Sequence, residues 1–257
     1  MEFSKEREVV FMLRSIKSFE GHMVQGTDGE IGSVTDFFFD DAEWTVRYMI
    51  VDTGKWIPGR KVLISPLALQ RHMDVPASFS VPVTKEVVEN SPPFDDEQAI
   101  SRQYETELTN YYGWPAYWEA LKLSAASAVG RRSDVLPDNV KRLQLERKGV
   151  SNLWSANEVT GYFIEATDGE IGHVEDFVLD DETWAIRYLV IDTRNWLPGR
   201  KVLIIPQLTE GISWTEARVR IDLPRETIKE SPEFDPSAPI NRQYEVRLYD
   251  YYGRPAY

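Results

Sequence analysis

The chain of 257 residues contains no cysteine and only three histidines. The missing thiol rules out disulfides, thiolate metal sites and a cysteine nucleophile, and it fits a reducing compartment. No run of about 18 apolar residues occurs, so no membrane-spanning helix is expected. The opening stretch MEFSKEREVVFMLRS mixes charges of both signs and lacks an apolar segment, so no signal peptide is expected. Neither a Gly-x-Ser-x-Gly elbow nor a phosphate loop is present. Basic residues are outnumbered, 29 Lys/Arg against 42 Asp/Glu, for a net charge of −13. Residues 1–117 carry 11 basic and 19 acidic side chains, and residues 148–257 carry 12 and 19. Residues 118–147 carry 6 and 4, so two acidic bodies flank a mildly basic connector. Acidic bodies repel phosphate backbones, which argues against a nucleic-acid partner.

What the sequence does contain, it contains twice. Shifting residues 21–117 by 140 positions superposes them on 161–257 without a gap, and 44 of 97 positions are identical. TDGEIGSVTDFFFDDAEWTVRYMIVDT faces TDGEIGHVEDFVLDDETWAIRYLVIDT, and WIPGRKVLISP faces WLPGRKVLIIP. Leu13 and Ser15 align with Leu153 and Ser155 upstream of the main match. A unit of this length is a whole domain, not one turn of a solenoid. The expected organisation is therefore domain 1 over 1–117, a linker over 118–150 and domain 2 over 151–257. Duplication also filters candidate residues. His22 faces Tyr162, His72 faces Ile212 and His173 faces Ser33, so no histidine serves both copies.

Within each copy, short β-branched and aromatic runs alternate with turn signals, the pattern of a small closed β-barrel. Asp28-Gly29 and Asp168-Gly169 are read as hairpin turns. A second hairpin turns over Asp40, Asp41, Ala42 and Glu43 into a strand from Trp44 to Val51. Pro58-Gly59 marks a further turn. A short helix is expected near TKEVVEN and PRETIKE. Tyr104, Leu108 and Tyr111 recur at i, i+4 and i+7, which predicts a second helix with one apolar face. The connector holds helix formers, so a partly helical linker is expected.

Both copies resemble the PRC-barrel family, through TDGEIGxVxDFxxDDxxWxxRYxxxDT and WxPGRKVLIxP in the same order. That family includes the cytoplasmic part of the photosynthetic reaction centre H subunit and the C-terminal domain of the ribosome maturation factor. The resemblance implies two tandem six-stranded barrel-like domains in a mainly β chain with short helices. It also implies assembly or adaptor roles rather than catalysis, and no cofactor. The chain departs from both relatives, lacking the H subunit's transmembrane helix and the maturation factor's separate N-terminal barrel.

Candidate binding residues are those that recur. Trp56 and Trp196 precede the Pro-Gly turns, and loop aromatics are frequent interface anchors. Arg60 and Arg200 are duplicated cations, read either as structural anchors or as recognition groups. Tyr111 and Tyr112 recur as Tyr251 and Tyr252 within YYGxPAY, where a ring and a hydroxyl together suit an interface. Asp40, Asp41, Asp180 and Asp181 are weak metal candidates beside Asp36 and Asp176, since clustered carboxylates bind hard cations. The competing reading is a solvated hairpin loop. Together these features point to a non-catalytic assembly module with a protein partner and a possible homodimer. Its expected place is the cytoplasm, with a partner-mediated position at the inner membrane as the second expectation. Alternatives are an accessory of photosynthetic electron transport, and a small-ligand or metal-dependent regulator using the Asp loops.

Overall fold

A computed structural model describes residues 13–70, 77–95, 100–118, 153–193 and 200–254. The chain is mainly β and forms two sheets of mixed strands. The first repeat contributes β1 (Leu13–Ser15), β2 (Met23–Gly26), β3 (Gly29–Asp40), β4 (Thr45–Asp52), β5 (Lys61–Ile64) and β6 (Ser78–Ser80). Helices α1 (Lys85–Glu89) and α2 (Arg102–Tyr112) follow. The second repeat contributes β7 (Leu153–Ser155), the single turn α3 (Ala156–Val159), β8 (Phe163–Ala166), β9 (Gly169–Asp180), β10 (Ile186–Asp192) and β11 (Lys201–Ile204). It continues with β12 (Thr209–Ser213), β13 (Arg218–Ile221), α4 (Arg225–Glu230) and α5 (Arg242–Tyr251). Among the described residues, no helix is long and apolar enough to cross a membrane.

The strand order of one sheet is β5-β4-β3-β2-β6, and that of the other is β11-β10-β9-β8-β13-β12. Among the described residues both are open paths, so strand pairing there does not close the expected barrels. In the second sheet the reason is local. The edge strands β11 and β12 are joined through a 3-10 turn at Pro206–Leu208 rather than laddered together. Proline at the head of that turn has no N–H with which to continue a ladder.

The opening strand of each repeat leaves its own sheet. β1 pairs antiparallel with β9, in the register Leu13 with Asp180 and Ser15 with Val178. β7 pairs with β3, in the equivalent register Leu153 with Asp40 and Ser155 with Phe38. The compact units accordingly run from 19 to 157, and from 158 to 257 with residues 1–18. They do not follow the repeat boundaries at 117 and 151. Both strands are three residues long, too short to stand alone. Each is held because it extends a 12-residue acceptor strand.

The core of each unit lies over the long hairpin. In β3, Ile31, Val34, Phe37 and Phe39 are buried, and in β4 so are Val46, Tyr48, Met49, Ile50 and Val51. The β2–β3 turn is occupied by Thr27 and Asp28, with Gly29 already in the strand. Asp28 does more than turn the chain. Its carboxylate accepts the Lys85 N–H at 2.8 Å, at the head of α1, and Asp168 accepts the Arg225 N–H at 2.7 Å. A carboxylate at a helix start satisfies an orphan donor and opposes the helix dipole. On α2 the buried stripe is Glu105, Leu108 and Thr109 rather than Tyr104, Leu108 and Tyr111. Tyr111 lies off that stripe because the helix packs through the position one turn before Thr109, where a carboxylate is buried.

Candidate functional site

Asp36 and Asp40, with their counterparts Asp176 and Asp180, do two different jobs. Asp36 and Asp176 hold the exchanged strands. Ser155 donates its hydroxyl to Asp36 Oδ2 at 2.6 Å, and Ser15 donates to Asp176 Oδ2 at 2.5 Å. Asp36 Oδ1 also accepts the N–H groups of Phe37 at 2.7 Å and Asn157 at 3.0 Å. Burial raises the pKa of both carboxyls, against hydrogen bonds from Ser155 and Ser15 respectively that lower it. Glu105 is raised by burial as well, with Arg102 opposing.

These three shifts set a pH dependence. A raised native pKa means the folded state binds the proton more tightly than the unfolded chain does. Stability therefore falls as pH rises from the ordinary carboxylate values of 3.8 and 4.5 through the raised native ones. Asp168, Asp180 and Asp235 are shifted down, so their contributions are lost only as pH drops below 3.8. The two windows do not overlap. Thermal melts should show stability increasing as pH is lowered from neutral toward ~4, then declining. Asp36→Asn with Asp176→Asn should flatten the limb above ~pH 4, because the amide keeps the acceptor and loses the titration. An unchanged limb in that variant would show that these carboxyls do not set it.

Asp40 and Asp180 shape the second hairpin. Arg47 binds Asp40 Oδ2 at 3.0 Å, and Arg187 binds Asp180 Oδ2 at 3.0 Å. Asp40 Oδ1 accepts the Ala42 N–H at 2.8 Å, and Asp180 Oδ1 accepts Glu182 and Thr183 at 2.9 and 3.0 Å. Burial works against the Asp180 charge, but the Thr183 N–H and the Arg187 guanidinium outweigh it and hold its pKa below the usual range. Asp41 and Asp181 are half-buried beside them. Among the described residues, no group of three His, Asp or Glu side chains is gathered as a metal site requires.

The repeated WxPGRK stretch closes a loop. Thr53 follows the strand-ending Asp52, and its hydroxyl donates to the carbonyls of Ile57 and Arg60 at 2.8 and 2.9 Å. Thr193 donates likewise to Arg200 at 2.9 Å. Trp56 lies half-buried over the sheet, donating its indole N–H to the Ile31 carbonyl at 2.6 Å, with Lys85 Nζ 5.2 Å from its ring. Trp196 falls outside the described residues. Arg60 Nη2 donates to the Ser91 carbonyl at 2.7 Å, and Arg200 Nη2 to that of Ser231 at 2.6 Å. Both cations thus cap carbonyls just past the C-termini of α1 and α4, where the helix dipole favours positive charge.

The tail helices carry the remaining candidates. Tyr112 stacks on Trp114 with ring centroids 4.1 Å apart and planes 8° from parallel. Tyr252 is buried and donates its hydroxyl to the Leu203 carbonyl at 3.0 Å. Tyr111 and Tyr251 differ from their neighbours. Each remains exposed, at 40% and 37%. Each is nevertheless held, because its hydroxyl donates to a carbonyl of the preceding helix, Val87 at 2.7 Å or Thr227 at 2.8 Å. Each ring also meets the next tyrosine edge to face, at 5.0 and 5.2 Å. An exposed aromatic fixed at both ends presents apolar area at little further entropy cost.

Sequence reasoning passed over Glu105 and Glu245. Glu105 is fully buried, accepts the Tyr117 hydroxyl at 2.7 Å and pairs with Arg102 at 2.8 Å. Glu245 accepts the Tyr188 hydroxyl at 2.9 Å. The signal for both was their identical place in the two RQYE segments. Compared with protein-family models and with curated proteins, the chain matches none.

Proposed function

We propose that the chain is a tandem PRC-barrel-like protein that works as a non-catalytic assembly module. In this reading it presents one aromatic surface twice to a protein partner. The observation that carries the reading is the matched pair Tyr111 and Tyr251, exposed and pre-oriented at equivalent positions of two homologous units. Support also comes from the two full copies of the PRC-barrel-like motif. Trp56, Arg60 and Arg200 are used internally, so the tyrosine pair takes over the anchoring role in this proposal.

The test is purification of the tagged chain from its host and identification of a stoichiometric partner, followed by affinity measurement on variants. Tyr111→Ala with Tyr251→Ala should weaken that partner at least tenfold, about 1.4 kcal/mol. Tyr111→Phe with Tyr251→Phe keeps the rings and removes two exposed hydrogen bonds. It should retain affinity while losing up to ~1 kcal/mol of stability per site. Equal affinity in the alanine variant and the parent chain would sink the reading.

A further inference from the structure

The second repeat carries smaller side chains than the first at two positions on neighbouring strands, Val178 for Phe38 and Val190 for Ile50. In the unit containing the second repeat, a cleft of about 390 Å³ lies between the exchanged strand β1, the sheet and the proline-rich loop before α5. Its apolar wall includes Leu13, Val178, Val190, Phe234 and Ile240. Among the described residues of the first repeat, the side chains at the equivalent apolar positions pack on one another. Phe38 stands where the second repeat has Val178, and Ile50 where it has Val190. Phe38 meets Phe94, the counterpart of Phe234, edge to face at 5.9 Å. Phe38, Phe94 and Leu153 pack on the cluster that holds Ile50 and Ile100. Those residues are the counterparts of the cleft's apolar wall. The second repeat therefore keeps an aromatic platform at Phe234 and lacks the phenyl ring that lies on it in its sister. What the sister repeat places there shows which shape fits: one aromatic ring.

The polar edge of the cleft narrows the chemistry. Glu175 lines it where the first repeat has Thr35. Lys201 Nζ binds Glu175 Oε1 at 2.5 Å. The other carboxylate oxygen, Oε2, is shielded from solvent and has no hydrogen-bond partner. A shielded acceptor without a donor is unfavourable, and an incoming O–H or N–H relieves it. Asp176 also lines the cleft, and Lys17 acts on it from outside the lining; a ligand anion would meet both carboxylates and gain only Lys201 within the cleft, so it is disfavoured. The volume falls within the range of small-molecule pockets, about 300–1,000 Å³.

We propose that this cleft binds a small uncharged aromatic molecule bearing a hydrogen-bond donor, of the phenol or indole class. Its ring packs on Phe234 in the manner of Phe38 on Phe94, and its donor group meets Glu175. The site is independent of the assembly surface at Tyr111 and Tyr251.

The experiment titrates the full chain with phenol, anisole and benzoate, followed by calorimetry and ligand-observed NMR. Phenol should bind saturably at one site. Anisole, which keeps the ring and loses the donor, should bind about tenfold more weakly, and benzoate weaker still. Val178→Phe restores the first repeat's residue and should reduce phenol binding at least tenfold. Glu175→Ala should bring phenol down to the level of anisole while leaving anisole unchanged. That convergence decides the matter even if the phenylalanine variant does not fold. No saturable phenol binding, equal phenol and anisole affinities in the parent chain, or undiminished phenol binding in a folded Val178→Phe variant would each overturn the proposal.

Discussion

Cutting the chain once between residues 119 and 152 is expected to leave two fragments that stay bound until denatured. The reason is the strand exchange. The N-terminal fragment keeps β1, whose ladder partner β9 belongs to the other fragment. The C-terminal fragment keeps β7, whose partner is β3. Separation would break both ladders and both Ser–Asp hydrogen bonds. Each hydrogen bond to a charged carboxylate contributes ~1.5–3 kcal/mol. Leu13 and Leu153 are half-buried and add less than the roughly 1.5–3 kcal/mol each of full leucine burial. A protease site inserted after Gly130 makes the cut, and size exclusion before and after urea reads the result. Repeating the cut on Asp36→Ala with Asp176→Ala removes both acceptors. The fragments should then associate about 100-fold more weakly, since ~3 kcal/mol corresponds to that factor. Fragments of the parent chain that elute separately in buffer would show that the exchanged strands do not bind the halves together.

A single methyl group at Gly32 or Gly172 should be among the most damaging substitutions in the chain. A Cβ on Gly32 would lie 2.0 Å from the Asp52 carbonyl oxygen, and one on Gly172 would lie 2.1 Å from that of Asp192. Neither carbonyl can retreat freely, because Ser33 pairs with Asp52 and His173 pairs with Asp192 in the long hairpins. Overpacking against fixed backbone costs ~3 kcal/mol or more. For a chain of this size, that cost lowers Tm by roughly 6–12 °C. Gly54→Ala supplies the contrast. Gly54 has φ +64° but nothing within 4 Å of an added Cβ, so only the left-handed conformation is penalised, by ~1–2 kcal/mol. Melting the three variants side by side separates steric approach from backbone strain. A Gly32→Ala variant no less stable than Gly54→Ala would refute the close approach.

Much of the architecture was legible in the sequence because it depends on local chemistry. β-Branched and aromatic runs between turn signals marked the strands, and Asp-Gly marked the first hairpin to within a residue. The 140-residue shift exposed two homologous halves. The aromatic and carboxylate motifs were all visible as motifs. Their roles were not, because a role depends on what the fold brings near. Asp36, Asp40 and Asp41 read as one acidic cluster, yet strand alternation and a bulge between Val34 and Asp36 send them to different partners. Glu105 drew no role from the sequence, yet Arg102 and Tyr117 make its burial possible. Arg60 and Trp56 read as surface candidates, yet the Ser91 carbonyl past α1 and the Ile31 carbonyl of β3 accept hydrogen bonds from them.

What the sequence by itself determined is the repeat, read by comparing the two copies, and most of the strands and helices and the mainly β class, which follow from composition and spacing within each copy. The tertiary structure alone decided that each three-residue opening strand completes the other repeat's sheet. Leu-x-Ser is common to both donors and the DF segment with its aspartate to both acceptors, so the residues fit either pairing equally well. The turns at 16–19 and 156–159 then carry the chain from the borrowed sheet back into its own.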